Sequence, residues 1–442
     1  MTTPANNSPS ASFIALLPLF VFLALYIGVG IYFQSQGVDY AFYQLPSVIA
    51  ILPAIILALL LSKQKLNNAI ETFIGGIGHS NIIAMCLIYL LAGAFASVAK
   101  ATGGVDATVA LGLSLIPSDL LLPGFFVIAA FIATAMGTSM GTIAAVAPVA
   151  LGVADQAQID YALMAGAVLS GALFGDNLSI ISDTTIAATR TQGCGMKDKF
   201  RENLIFAIPA SIITLLAFAF AGQGHADIAA QDIEFIKVLP YLTILVLAVA
   251  GLNVFVVLTF GIILAGITGL LATDYSIIQF GNDIYTGFTN MQEIFILSMF
   301  VGGLAALMQQ QGGLAFVNNK VEGLIRRFSK ANGEASPRAA ELGMAGIVAA
   351  TNTCVANNTV SIVVTGDIAK DLAQKHGVSS KRAASVLDIF ACIIQGLIPH
   401  GAQALLIASV FTISPLTAVS HAWYCMILAI VAVAIVIFRK RA

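Results

Sequence analysis

FGDNLSIISDTTIAATR, Phe174 to Arg190, places two carboxylates (Asp176 and Asp183), the Asn177 amide and five hydroxyls (Ser179, Ser182, Thr184, Thr185 and Thr189) in a chain that is 59% hydrophobic. The surrounding segment 161–189 is apolar like a membrane span but too long for a straight one, since about 20 residues cross a ~30 Å hydrocarbon layer. Gly175, Asp176 and Asn177 break a helix, and Asn177 or Ser179 caps the next one. A break at membrane depth frees backbone groups that lipid cannot satisfy, so it must face protein or a water-filled cavity. Beyond it, Ser179, Ser182 and Asp183 share one helix face at i, i+3 and i+4. The stretch reads as the oxygen-rich edge of a pocket inside a broken membrane helix.

The rest of the chain agrees. Charged residues make up 10% of 442, against roughly 25% in soluble domains, and mean hydropathy is +0.94. This composition predicts an all-α polytopic membrane protein. The net charge of −2 says nothing about partners, and no basic stripe or aromatic platform argues for nucleic acid, so none is expected. The cysteines Cys86, Cys194, Cys354, Cys392 and Cys425 lack CxxC spacing and read as small core residues. Spans are predicted at 13–33, 45–61, 80–99, 161–189, 203–222, 236–250, 253–271, 290–308, 385–412 and 416–438. The positive-inside rule puts Lys63 and Lys65, the 190–201 loop, the 320–338 loop and the terminal RKR (439–441) in the cytoplasm. The acidic stretches 155–160, 221–234 and 272–283 go outside, so both termini are cytoplasmic. The sidedness closes only if 121–154 and 339–367 are re-entrant hairpins.

An internal repeat predicts the same plan. IGHSNIIAMCLIYLLAGAFASVAKATGG (77–104) aligns with TGFTNMQEIFILSMFVGGLAALMQQQGG (286–313), pairing Gly78 with Gly287 and Gly103–Gly104 with Gly312–Gly313. Past further insertions, Thr134 pairs with Thr351, Thr142 with Thr359, and Asp176 with His400. Each copy, 1–222 and 223–442, holds five transmembrane helices and one re-entrant hairpin, and an odd span count inverts the second copy. The breaks at 161–189 and 385–412 then meet near the midplane, where secondary transporters of this plan bind their substrates.

Intramembrane ionisable residues are functional candidates by default. A hard cation such as sodium suits carboxylate, hydroxyl and carbonyl oxygens, and one carboxylate can hold either a proton or a cation in turn. Asp176 and Asp183 are the candidates, with Ser179, Ser182 and Thr184 beside them. Hairpin 121–154 adds Thr138, Ser139 and Thr142, with Gly137 and Gly141 letting the backbone unwind. Hairpin 339–367 adds Asn352, Asn357, Asn358 and Thr359. Sodium is assigned to Asp176 with Ser139 and Thr142. Each small polar residue also reads as packing glue between helices, and Asp183 alternatively as a partner of Arg190. Glu293 and Asp388, near span ends, read as interfacial residues or as proton relays. His400 reads as a pH-responsive or substrate-orienting group, or as a hydrogen-bonded structural one. No Lys or Arg is expected deep within a span, which favours a cation as cargo. No phosphate-binding GxxxxGK[ST] loop is present, so ATP-driven pumping is not expected.

With GTSMGT (137–142), GDNLSIISDTT (175–185) and ANNT (356–359) in hand, the chain resembles the NhaC-type sodium/proton antiporters, within the ion-transporter superfamily of inverted-repeat carriers. The resemblance runs from about residue 13 onward, with Ile180 standing where the family usually has proline. It implies a bacterial inner-membrane carrier, not an enzyme, exchanging sodium for protons without a cofactor, with cation and proton binding at Asp176, Ser179, Ser182, Asp183 and Thr184. It also implies a homodimer as the common assembly. The alternative within the family is a sodium- or proton-coupled carrier of an amino acid or organic acid.

Overall fold

The computed structural model describes residues 10–38, 41, 44–115, 117–180, 182–221, 234–328 and 336–438, and among them every regular element is a helix. Lys330, the 222–233 stretch and the RKR terminus, on which part of the sidedness reading rests, lie outside the described residues. Up to residue 221 the helices are α1 (Leu17–Ser35), α2 (Ser47–Leu61), α3 (Leu66–Ile77), α4 (Ser80–Ala101), α5 (Gly104–Leu115), α6 (Leu121–Met136), α7 (Ser139–Gln156), α8 (Tyr161–Leu178), α9 (Asp183–Gln192) and α10 (Met196–Ala221). Beyond residue 234 they are α11 (Phe235–Val249), α12 (Val254–Ala272), α13 (Ile277–Asn290), α14 (Gln292–Gln310), α15 (Gly313–Phe328), α16 (Pro337–Val355), α17 (Asn358–Lys375), α18 (Ser380–Leu397), α19 (Ala402–Phe411), α20 (Pro415–Ser420) and α21 (Trp423–Phe438).

Seven helices, counting α8–α9 and α18–α19 each across its break, are long and apolar enough to cross a membrane. This is a multi-pass membrane architecture. The outward faces of α2, α10, α12 and α21 carry Ile56, Leu60, Phe220, Phe260, Leu271, Ile430 and Phe438 exposed, as suits helices bathed in lipid.

Both breaks have local causes. The first break falls after Leu178, not at Gly175–Asn177, which stay helical. Ser179 is the extended C-cap of α8, and the Ser182 side chain, not Asn177 or Ser179, accepts from Thr185 N–H to restart the helix as α9, so Ser179, Ser182 and Asp183 do not share a helix face. In α18 the stop is Pro399, which biases the preceding Ile398 away from helix; Ile398 is extended and Gly401 is the N-cap of α19. The hairpin turns are equally local. Gly137 ends α6 with φ 72° and Thr138 caps α7; Ala356 ends α16 with φ 54° and Asn357 caps α17.

Close approach of backbones builds the centre. Nearly all of α8 is buried, and a Cβ on Gly171 or Gly175 would strike α6 at Phe126 O or Ala133 Cβ. Small residues serve this purpose in membrane bundles, where packing rather than hydrophobic segregation drives association. Further out, α4 crosses α13 at Gly93 and Gly287, and α14 meets α3 at Gly302 and Gly76, each glycine facing the other's carbonyl. Across the halves, α9 packs on α17 and α18, and α7 on α19.

Several expectations need correction. α10 begins at Met196, not at 203, so the KDKFR segment is helical. That extra turn carries Lys199 inside, where its side chain is 0% exposed, contrary to the expectation that no basic residue lies deep within a span. The hairpin arms are longer than 121–154 and 339–367, because α17 continues past its apolar stretch with Asp367, Lys370 and Asp371 turned outward. Helices α3, α5, α13 and α15 fill segments read as loops. The pairing register also shifts in the region of the hairpins. Gly137 and Ala356 are the matching left-handed caps, Thr138 and Asn357 the matching N-caps, and Gly193 and Thr412 the matching left-handed caps of α9 and α19. All three pairs share one offset, 356 − 137 = 219. Asp176 therefore matches Gln395 in α18, whereas His400 lies in the break itself.

Candidate functional site

Asp176 lies in the last turn of α8 and is 4% exposed. Its Oδ1 accepts the Ser139 N–H at 2.8 Å and its Oδ2 the Ser139 hydroxyl at 2.5 Å. The first turn of α7 thus caps a carboxylate that belongs to another helix, a charge-assisted arrangement. Gln403 on α19 donates Nε2 to the same Ser139 hydroxyl at 3.0 Å, and Gln395 on α18 donates to Gln403 Oε1 at 2.8 Å. A chain of hydrogen bonds therefore runs from Asp176 in the first half to α18 and α19 in the second.

A cavity of about 100 Å³ opens in front of this carboxylate. Its walls are Gly137, Thr138, Ser139 and Met140 from the first hairpin; Asp176, Ser182, Asp183 and Thr184 from the break; Asn357, Asn358 and Thr359 from the second hairpin; Gln403; and Asn81, Ala84, Met85 and Ile88 from α4. The N-termini of α7, α9 and α17 all reach it. Helix N-termini favour negative charge nearby, and here Asp176 and Asp183 supply it. The lining contains no Lys or Arg. The volume takes an ion with a few waters or a very small solute, and is well below the 300 Å³ or more of drug-sized sites.

Of the residues singled out from sequence, Asp176, Ser182, Asp183, Thr184, Thr138, Ser139, Asn357, Asn358 and Thr359 line this cavity. Asp183 is exposed to it, and among the described residues no ion pair joins it to Arg190. The others do not line it. Thr142, assigned with Ser139 to sodium, turns its hydroxyl onto the Thr138 carbonyl at 3.0 Å. Ser179 offers its carbonyl to the Thr185 hydroxyl at 2.7 Å. Asn352 donates to Ala391 O at 2.8 Å and accepts from Ser361, tying α16 to α18 and α17. Glu293 accepts from the Ser47 N–H and hydroxyl at 2.9 and 2.7 Å, where it caps α2. His400 shares a hydrogen bond between Nε2 and Thr353 O at 3.0 Å and meets the Phe22 ring edge-on. Asp388 is completely buried and paired with Lys199 at 2.7 Å.

Asn81, Gln395, Gln403, Lys199 and Asn203 escaped the sequence reading. A lone amide in an apolar helix carries little signal. For Lys199 and Asn203 the signal was their i, i+4 spacing in front of a span, obscured because a basic cluster there fits a cytoplasmic loop equally well. Among the described residues, no three His, Cys, Asp or Glu side chains gather as a metal cluster. The cavity offers instead mixed carboxylate, hydroxyl and amide oxygens, the ligand set of a weakly held alkali cation.

The model of the Na+/H+ antiporter family matches residues 4–223, which include the first hairpin and the α8–α9 break. The chain belongs to this family. Among its curated relatives, the Na(+)/H(+) antiporter NhaC of Bacillus subtilis (strain 168) is 29% identical over 75% of this chain and 78% of its own. The protein of the same name from Alkalihalophilus pseudofirmus is 26% identical over 73% and 75%. A Malate-2H(+)/Na(+)-lactate antiporter of Bacillus subtilis is 25% identical over 92% and 90%.

Proposed function

We propose that this antiporter-family chain exchanges sodium for protons across the inner membrane of a bacterium, with Asp176 alternately protonated and sodium-loaded. The observation that carries this reading is the placement of Asp176. It is a buried carboxylate, held by Ser139 at the wall of a small cavity, with Ser182, Asp183, Thr184 and the second hairpin's Asn357–Thr359 supplying further oxygens. The names of its relatives support the same exchange. Sodium and the proton compete for one carboxylate, so they cross in opposite directions when the carboxylate must carry one of them at each crossing.

The reading includes an inverted repeat, 1–222 and 223–442, each copy with five spans and one hairpin, and both termini in the cytoplasm. The shared offset of 219 supports it, as do two contacts between residues that the first part of the alignment makes equivalent. Tyr89 OH meets Ser298 Oγ at 3.2 Å, and Cys86 Sγ lies 3.6 Å from Phe295 O, each pair 209 positions apart. Equivalent residues touch one another only near the axis relating two copies. A homodimer, the family's common assembly, belongs to the same proposal.

Purified protein in liposomes enclosing a pH dye tests the exchange. Sodium added outside moves protons out of the vesicles, and Asp176→Asn stops this while the protein stays monodisperse and folded. Proton movement that survives Asp176→Asn overturns the assignment. A second reading, coupled carriage of a small organic acid, is favoured by the amides of Asn357, Asn358 and Gln403 and by the three helix N-termini at the cavity. It predicts no proton movement with sodium until a small hydroxy acid is added.

A further inference from the structure

Next to Asp176 in the fold, among residues that do not line the cavity, lies a second polar cluster. Lys199 of α10 and Asp388 of α18 form an ion pair at 2.7 Å with both side chains 0% exposed. The Lys199 ammonium also donates to Thr185 Oγ1 at 2.7 Å and to the Asn177 carbonyl at 3.2 Å, so its three protons have three acceptors. One turn on, Asn203 donates Nδ2 to the same Asn177 carbonyl and to Asp388 Oδ2, both at 2.7 Å, and accepts from the Ser385 hydroxyl at 2.6 Å. Asn177 is the residue after Asp176, and its carbonyl is one that the break deprives of an intrahelical donor. Thr185 is in the first turn of α9. One ammonium thus grips both sides of the break and binds them to the helix that carries the second break.

We propose that Lys199 and Asn203 are positioning residues for the cation site. They replace the backbone donors missing at the end of α8, hold Asp176 in register with Ser139, and couple the two broken helices through Asp388. Charge completes the argument. Removing one partner of a buried pair strands the other's charge, whereas replacing both is tolerated far better. Because Lys199 neutralises Asp388, Asp176 is the buried carboxylate left to take sodium or a proton. Asp388 is then a fixed counter-ion and not a proton relay.

The test, which rests on the antiport reading, compares Lys199→Gln, Asp388→Asn and the double variant with the unaltered protein. Sodium-driven proton flux in liposomes is measured alongside thermal melts in sodium-free detergent. Each single variant should raise the sodium KM at least tenfold and lower the melting temperature; the double should regain most of both losses, and Lys199→Arg most of the flux. A double variant as inactive as Asp388→Asn alone, though folded, means that Asp388 titrates in the cycle and overturns the proposal. So does a Lys199→Gln protein that melts early but keeps the normal sodium KM, since the pair is then only packing. If the unaltered protein shows no sodium-linked flux, the antiport reading falls. The melts still judge the tether: recovery in the double supports it, and additive losses refute it.

Discussion

Gly175→Ala should disable the proposed cation site through geometry alone. A Cβ at this position would lie 2.1 Å from the Ala133 Cβ and 2.6 Å from the Thr134 backbone nitrogen on α6. Ordinary contact starts at 3.4 Å, so the helices must part by about 1.3 Å, the gap between 2.1 and 3.4 Å. Neither obstacle is the end of a flexible side chain, so overpacking costs about 3 kcal/mol, the upper part of the usual range. Whichever helix yields, α8 moves away from the turn that carries Ser139. The bond from Ser139 N–H to Asp176, now 2.8 Å, then opens past the ~3.2 Å limit of a good hydrogen bond. A misplacement of about 1 Å at a reacting group costs roughly 100-fold. Proton flux at sodium concentrations below KM should fall by about that factor, read from the pH dye in liposomes. Gly28→Ala, which meets nothing within 4 Å, should behave as unaltered protein, while Gly171→Ala should destabilise similarly by striking Phe126 O at 2.3 Å. Because Gly171 is a turn farther from Asp176, it should change the sodium KM much less. A Gly175→Ala protein with unchanged KM and melting temperature would refute this packing argument.

Gln403→Leu removes the donor to Ser139 Oγ and leaves Gln395 with only its longer bond to Ala356 O at 3.3 Å; at about 1 kcal/mol for one such bond, the sodium KM should rise roughly fivefold, measured in the same flux assay. Cys194 is half-buried while the other four cysteines are buried, so a membrane-impermeant maleimide should label this one site, and only in inside-out vesicles. Burial, reinforced by Asp198, holds its thiol above the ordinary range, so labelling should quicken only above about pH 8.5. Tyr275, between α12 and α13, has its phenol pushed up by burial and by its hydrogen bond to Asp283 at 2.6 Å. It keeps its proton after the unfolded chain has lost its own, so its contribution is full below about pH 10 and fades as the pH rises further. Melts at rising pH should show a shallower alkaline decline in Tyr275→Phe.

The broken helix was legible because its cause is local. The polar cluster interrupting an apolar run announces a break, but its exact place does not follow: Gly175, Asp176 and Asn177 are still helical, and Ser182 rather than Asn177 or Ser179 caps the next helix. Local causes also mark the hairpin turns at Gly137 and Ala356, where small residues and N-cap side chains sit in sequence. What sequence could not supply was register across insertions. Pairing Asp176 with His400 matched two conspicuous polar residues, but matching helix ends pair Asp176 with Gln395. Lys199 was misplaced for a related reason. A lysine beside Arg201 and Lys197 looks like a cytoplasmic loop, and only the approach of Asp388, far away in the chain, makes its burial tolerable. Glu293 and Asn352 show the converse, since conspicuous polar residues in apolar helices were satisfied by Ser47 and by Ala391 O rather than by a ligand.

The Lys199–Asn203–Asp388 cluster also constrains how the protein is made. Asn203 precedes Asp388 by 185 residues, and at roughly 5–20 residues per second a ribosome needs about 10 to 40 seconds to close that gap. Throughout this interval α10 carries an ammonium whose counter-ion does not yet exist. The nascent chain must keep Lys199 near the aqueous boundary and let α10 settle fully only when α18 arrives. The first half therefore cannot reach its mature packing before the second is inserted, and a fragment ending before α18 is a natural substrate for membrane quality control.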